Sequence, residues 1–181
     1  MSVAWDETSD QESLASWGTP DAFGVPLNIA GRHPEDFYSM LGRIVSLAAT
    51  LENKTLGFYQ DLVGGTQDDF VQLSVSALIK NSLEELYRLP DEDAQFARQW
   101  LIEARAISSR RNDYVHSLWP AQGNGDLFGW RRRRMKDGTT KIVKLTMDDM
   151  HADLQRLVAL LKSRRLLRFQ ALVSGRQHLK Q

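Results

Sequence analysis

Apolar residues recur at intervals of three or four positions over four long stretches of the chain. This spacing aligns them on one face of an α-helix, so each stretch predicts an amphipathic helix. The first helix is expected over residues 34–63, because Pro34 suits a first helical turn and Gly64 and Gly65 end the pattern. Its apolar face consists of Phe37, Leu41, Ile44, Val45, Ala48, Leu51, Tyr59 and Leu62.

Three further helices are predicted from the same spacing and from residues that begin or end helices. The second, residues 66–89, begins with a Ser/Thr-x-x-acid pattern and ends before Pro90. The third, residues 91–118, begins in an acidic run that suits a helix N-terminus. The fourth, residues 146–174, repeats the starting pattern of the second. The inner face of the third helix is expected to contain Phe96, Trp100, Ala104, Ile107, Tyr114 and Leu118.

Residues 121–145 break the helical spacing. Two runs, 127–135 and 140–145, flank Asp137 and Gly138, a pair that favours a hairpin turn. We therefore expect an all-α chain: a bundle of four long helices with a small β-hairpin inserted before the last one.

Composition favours one intracellular domain. The chain has 181 residues, 42% of them hydrophobic, which is enough for one core, so residues 33–181 are expected to form a single domain. Residues 1–32 mix acids, Gly and Pro and predict an irregular acidic arm. The absence of Cys excludes disulfides and thiolate zinc sites. Without a signal-peptide pattern or a membrane-length apolar run, we expect a cytoplasmic location and no membrane contact.

The charge is divided unevenly although the net charge is zero. Residues 1–99 contain 6 Lys and Arg against 16 Asp and Glu, and residues 100–181 contain 17 against 7. The basic half could contact a polyanion, or the acidic helices could pack beside basic ones. Charge alone does not decide between these two readings.

An arginine lies within the apolar face of the third helix. On a helical wheel Arg111 is about 60° from Phe96, inside the stripe that also contains Ile107. Burying an unpaired guanidinium costs several kcal/mol, so Arg111 requires a carboxylate, water, a second subunit or an anionic ligand. Asn112 and His116 project together from an adjacent face because they are four residues apart.

The segment Arg111-Asn112-Asp113-Tyr114-Val115-His116 resembles the motif of the HEPN family (higher eukaryotes and prokaryotes nucleotide-binding). That motif is an arginine, usually followed by a polar residue, and then a histidine after four to six intervening positions. HEPN proteins are bundles of four or more helices with the motif near the end of a late helix, and the resemblance covers roughly residues 34–174. Arg110 also fits the spacing and is the alternate candidate.

The resemblance implies a homodimer that joins two copies of the motif in one cleft and cleaves single-stranded RNA without a metal. His116 would take a proton from a ribose 2′-hydroxyl, and its counterpart would protonate the leaving 5′-oxygen, which leaves a 2′,3′-cyclic phosphate. Arg111 would hold the scissile phosphate, and Asn112 would orient the histidine or a phosphate oxygen.

The positions of Arg111 and His116 complicate this reading. They are about 140° apart on an ideal helix, so one chain cannot direct both at the same atom without a distorted last turn before Pro120. Two chains would remove the difficulty. Alternatively, Arg111 pairs with an acid of another helix, such as Glu52 or Glu84, and His116 only caps the helix end.

A second candidate lies on the first strand of the predicted hairpin. Trp130 is followed by four arginines, which alternation distributes over both faces of the strand: Arg131, Arg132, Arg133 and Arg134. These arginines could bind RNA phosphates while Trp130 stacks on a base. Alternatively, they are a solvated edge strand whose charge discourages aggregation.

No metal or cofactor site is predicted. His33, His151 and His178 are scattered, and no phosphate-binding or dinucleotide-binding glycine motif occurs. Two functions therefore remain. The first is a HEPN-type endoribonuclease, such as a toxin or defence effector restrained by a cognate antitoxin or regulatory protein. The second is a non-catalytic HEPN-like domain that contacts nucleic acid or a protein through the basic hairpin.

Overall fold

The computed structural model describes residues 23–25, 33, 35–89, 92–119, 128–134 and 138–178. Within these residues the chain is mainly α-helical and contains one antiparallel two-stranded hairpin, as predicted. The elements in chain order are α1 (Glu35–Val63), α2 (Val75–Leu86), α3 (Glu92–Val115), β1 (Phe128–Arg134), β2 (Thr140–Thr146), α4 (Met147–Leu161) and α5 (Arg164–His178). The predicted acidic arm, residues 1–32, lies outside the described residues apart from 23–25.

The end of α1 follows the prediction, but the predicted start of the second helix is wrong. Gly64 and Gly65 both have positive φ, a conformation that other residues rarely adopt, and they stop α1. Asp69 accepts hydrogen bonds from the amide and hydroxyl of Thr66, but this pair supports only a 3₁₀ turn over Gln67–Asp69. The α-helix begins later, after Ser74, whose hydroxyl accepts from the Ala77 amide.

The predicted fourth helix is two helices, α4 and α5. The last carbonyls of α4 bind side chains from elsewhere in the fold: Trp100 Nε1 donates to Leu160 O (3.1 Å) and Lys54 Nζ donates to Leu161 O (2.9 Å). The hydroxyl of Ser163 then accepts from the Leu166 amide and begins α5. These side chains satisfy the last carbonyls of α4, and Ser163 caps the start of α5. The helix therefore breaks here although the spacing of apolar residues in the sequence continues.

The described chain divides into two compact units, and the second contains most of the helical core. It consists of residues 39–116 and 148–181, with α2 and α5 each packed against α3. Its fully buried apolar side chains are contributed by all five helices, among them Ile44, Leu51, Phe58, Ile79, Leu86, Leu101, Ile107, Met150, Leu157 and Leu166. Gln170 on α5 also donates to Asp61 on α1 (2.8 Å).

The first unit contains residues up to Tyr38 and residues 117–147. Its described part is the first turn of α1, the segment after α3 and the hairpin, in which Gly129 pairs with Leu145. Phe37 packs against Trp119 with ring centroids 4.9 Å apart. Leu118, predicted on the inner face of the third helix, instead lies beyond α3, is 64% exposed and pairs through its backbone with Trp130.

Among the described residues, no helix combines the length and apolar character needed to cross a membrane.

The contact between Trp119 and Gly129 predicts that Gly129→Ala destabilises the protein. A Cβ at Gly129 would lie 2.6–2.7 Å from the Trp119 ring, so the hairpin or the ring would have to move. We expect a loss of about 1–3 kcal/mol in the free energy of unfolding, measured by chemical denaturation.

Gly57→Ala is the matched control for this substitution. Gly57 lies within α1 with nothing within 4 Å of an added Cβ, so alanine should increase stability by up to about 1 kcal/mol. If both substitutions change the free energy of unfolding equally, the contact between Gly129 and Trp119 does not restrict the side chain at position 129.

Candidate functional site

Arg111 lies near the end of α3, and no acid among the described residues forms an ion pair with it. Among the described residues, no ion pair joins Arg111 to Glu52 or Glu84, the two partners considered from the sequence. Its Nη1 donates to Asn112 Oδ1 (2.9 Å), whereas its Nε is buried and has no hydrogen-bond partner. The position within the apolar stripe therefore buries part of the guanidinium without compensating it fully.

The guanidinium lines a pocket of about 470 Å³ formed by α1, the start of α2 and α3. Arg105 and Ser108 contribute further polar groups from α3, and Glu52 contributes the acidic one from α1. The hydroxyl of Ser108 is likewise buried without a hydrogen-bond partner. Two buried polar groups that lack partners thus lie on the wall of the same pocket.

Asn112 and His116 are both exposed, and the pocket that Arg111 lines does not include His116. The Asn112 side-chain carbonyl accepts a hydrogen bond from Arg111, and its role toward a histidine or a phosphate stays a prediction. The His116 amide donates to Asn112 O (3.1 Å) just after the last residue of α3. Within one chain, Arg111 and His116 therefore face different surroundings, as the angle between them predicts.

Arg110, the alternate motif arginine and a predicted RNA contact, takes part in an internal network. Its Nε donates to Asp153 Oδ2 (2.8 Å) on α4, and its Nη2 lies 3.0 Å from both Asp149 Oδ1 and the Tyr114 hydroxyl. The Tyr114 hydroxyl donates to the same Asp153 oxygen at 2.6 Å. These contacts occupy the Arg110 guanidinium, and its role toward RNA stays a prediction.

The network continues from Asp153 to the surface. Arg156 donates to Asp153 Oδ1 (3.2 Å) and to Glu103 Oε2 (2.8 Å), so both oxygens of the buried Asp153 carboxylate are bound. We call Glu103, Arg110, Tyr114, Asp149, Asp153 and Arg156 the carboxylate network. It joins α3 to α4 at several points.

The network raises the pKa values of Tyr114, Arg110 and Arg156. Burial and the hydrogen bond to the Asp153 carboxylate raise the pKa of the Tyr114 phenol well above its ordinary value. Burial alone would lower the pKa of Arg110, but the hydrogen bond to Asp153 and the nearby negative charges raise it overall. The hydrogen bond to Glu103 raises the pKa of Arg156. Arg110 and Arg156 therefore remain charged and Tyr114 remains neutral.

The predicted RNA-binding strand is described only in part. Trp130 is half-buried and pairs with Lys144, and Arg131 pairs with Val143 on the opposite face of the hairpin. The backbone of β1 continues through Arg132, Arg133 and Arg134, but their side chains lie outside the described residues. The use of this strand for RNA stays a prediction.

Sequence reasoning did not identify Asp153, although its position carries a signal. It lies three residues after Met150 and four before Leu157, both fully buried, so an acid occupies the apolar face of α4. On α3, Arg110 is four residues before the buried Tyr114. Two opposite charges on two apolar faces indicate a buried ion pair between helices.

No protein-family model, curated protein or solved structure matches this chain. Among the described residues, no group of three His, Asp or Glu side chains could hold a metal ion.

The carboxylate network predicts a large effect of Asp153→Asn on stability. The amide cannot neutralise Arg110, which is only 27% exposed, so we expect the free energy of unfolding to fall by about 2–4 kcal/mol. Chemical denaturation measures this change. Glu103→Gln is the control, because the pair of Glu103 and Arg156 is 40–49% exposed and should contribute less than about 1 kcal/mol. A mild Asp153→Asn would show that the network does not hold α3 and α4 together.

Because the pKa of Tyr114 is raised in the folded protein, we expect the difference in unfolding free energy between the wild type and Tyr114→Phe to depend on pH. The folded protein favours the neutral phenol, so its contribution to stability is fully present below the unfolded pKa of about 10 and declines above it. The unfolding free energy of the wild type minus that of Tyr114→Phe should be constant to about pH 9 and then decrease by up to about 1.4 kcal/mol per pH unit. A difference that stays constant to about pH 11 would contradict the shift.

Proposed function

We propose that this chain is a metal-independent endoribonuclease of the HEPN type that acts on single-stranded RNA as a homodimer in the cytoplasm. One observation supports it most: the Arg111 guanidinium lines a pocket, and its buried Nε has no hydrogen-bond partner in the part of the chain that the structure describes. A buried donor without an acceptor costs about 1–3 kcal/mol, which a phosphate oxygen in the pocket would offset.

The mainly helical fold is compatible with this proposal. We propose that the helices form a HEPN-like bundle, with α3 as the late helix that carries the motif near its end. The hairpin is an addition before the last helical segment, which α4 and α5 share.

His116 is the proposed acid and base. It is exposed at the end of α3, where a substrate or a second protomer can approach it. Because it does not line the pocket of Arg111, a complete site requires the motif of the second protomer. This requirement is the reason for proposing a dimer.

The reaction uses only groups that the two motifs supply. The neutral imidazole of one His116 takes the proton of a ribose 2′-hydroxyl, and the 2′-oxygen attacks the adjacent phosphorus. The bond from phosphorus to the 5′-oxygen breaks, and the protonated His116 of the other chain donates to that oxygen. Arg111 stabilises the additional charge on the phosphate, and Asn112 holds Arg111 in place.

One observation favours the non-catalytic alternative. Within a single chain Arg111 and His116 have different surroundings, and Trp130 and Arg131 lie on a separate hairpin. A domain that binds nucleic acid or a protein partner through the basic hairpin would not require Arg111 and His116 to meet. Restraint by an antitoxin or regulatory protein is a proposal that belongs to the enzymatic function.

Cleavage of single-stranded RNA in EDTA tests the proposal. The wild type should produce fragments with 2′,3′-cyclic phosphate ends. His116→Ala should lower the rate by about a hundredfold or more, because general acid–base catalysis typically contributes 10²–10⁴. Arg111→Ala should also lower it by about a hundredfold or more, because it removes a positive charge that stabilises the phosphate in the transition state. Arg43→Gln is the matched control, since Arg43 is exposed on α1 and does not line the pocket.

Intact RNA after incubation with the folded wild-type dimer would reject the enzymatic function. RNA binding that survives both motif substitutions and disappears when Arg131, Arg132, Arg133 and Arg134 are changed to Gln would favour the binding domain. Cleavage that persists in His116→Ala would reject His116 as the acid and base.

A further inference from the structure

We propose that the pocket lined by Arg105, Ser108 and Arg111 binds a phosphate group within a single chain. The site goes beyond the proposed cleavage, because it requires neither His116 nor a second protomer. Its ligand class is a phosphate ester, either a small molecule or the phosphorylated end of an RNA.

Two of its groups already require an acceptor. Ser108 Oγ and Arg111 Nε are both buried, and neither has a hydrogen-bond partner among the described residues. They are three residues apart on α3, which directs both toward the same pocket. A phosphate oxygen accepts from a hydroxyl and a guanidinium at once. A cation would leave the Arg111 Nε donor unsatisfied and would be repelled by its charge, and an apolar ligand would leave both groups unsatisfied.

The start of α2 adds donors on the facing side. Ser74, Val75 and Ser76 line the pocket, and the Ser74 hydroxyl accepts from the amide of Ala77. The amides of Val75 and Ser76 lie in the first turn, where the helix itself provides no acceptor. First-turn amides and the positive end of the helix dipole favour an anion.

The charges of the pocket favour an anion, although one acidic residue, Glu52, also lines it. Arg105 and Arg111 supply two positive charges, and Glu52 is the single acidic residue that lines the pocket. Among the described residues, no ion pair joins Glu52 to either arginine, so their charges are not neutralised in place. Glu52 should weaken the binding of a bare phosphate and can accept hydrogen bonds from the hydroxyls of an ester.

The volume favours an ester over inorganic phosphate. At about 470 Å³ the pocket lies within the range typical of sites for small organic ligands, roughly 300–1,000 Å³. Phosphate would occupy the donors described above, and the remaining volume would accept a sugar or another organic group.

Binding of three probes by isothermal titration calorimetry tests the site: inorganic phosphate, an RNA oligonucleotide with a 5′-phosphate, and the same oligonucleotide with a 5′-hydroxyl. The oligonucleotides carry 2′-O-methyl groups so that no cleavage can occur. All three probes are titrated into the wild type, Arg105→Gln, Ser108→Ala, Glu52→Gln, His116→Ala and the control Arg43→Gln.

The wild type should bind inorganic phosphate. Arg105→Gln should weaken this binding by about tenfold or more, since it removes a charge-assisted hydrogen bond, and Ser108→Ala should weaken it by a smaller factor. Glu52→Gln should strengthen it, because it removes the opposing charge. Arg43→Gln and His116→Ala should leave it unchanged, even where His116→Ala abolishes RNA cleavage.

The two oligonucleotides distinguish the sources of the phosphate. Tighter binding of the 5′-phosphorylated RNA identifies an RNA end. Binding of inorganic phosphate without tighter binding of the 5′-phosphorylated RNA excludes an RNA end and leaves a small phosphate ester as the ligand class. Failure of the wild type to bind inorganic phosphate overturns the proposal. Equal binding by Arg105→Gln, Ser108→Ala and Arg43→Gln also overturns it, and so does weaker binding by Glu52→Gln.

Discussion

The candidate site depends on the hydrogen bonds that side chains of α3 and α4 make to the buried Asp153 carboxylate. Arg110, Tyr114 and Arg156 bind its two oxygens and so attach α3 to α4. Arg110 and Arg111 are adjacent on one helix and about 100° apart around it, so Arg110 contacts α4 while Arg111 lines the pocket beside α2. The two neighbouring arginines therefore have different environments.

Much of the fold could be predicted because it is encoded locally. The end of α1 follows from paired glycines, and the existence of α3 and of the two strands follows from the spacing of apolar residues, although α3 ends at Val115 and not at Leu118. The break after α4 could not be found in this way, since its cause is tertiary: Lys54 and Trp100 occupy the terminal carbonyls. The start of α2 was misplaced because Thr66 and Asp69 form a real capping contact that stabilises only a 3₁₀ turn.

The candidate site could be predicted only in part, because its surroundings also depend on tertiary contacts. The helical wheel placed Arg111 within the apolar face, and the structure shows its Nε buried. The helical wheel could not show whether Arg111 faces an acidic partner or a pocket, because its surroundings depend on which helix packs against that face of α3. Ser108 gave no signal in the sequence, since a serine on a half-buried face is common and its missing partner is a property of the packed fold.

The separation of Arg111 from His116 bears on how this sequence can change. Arg111 lines a pocket that does not include His116. A substitution of His116 therefore leaves the lining of the pocket as it is, and a descendant of this sequence can lose the imidazole and keep the polar groups around Arg111.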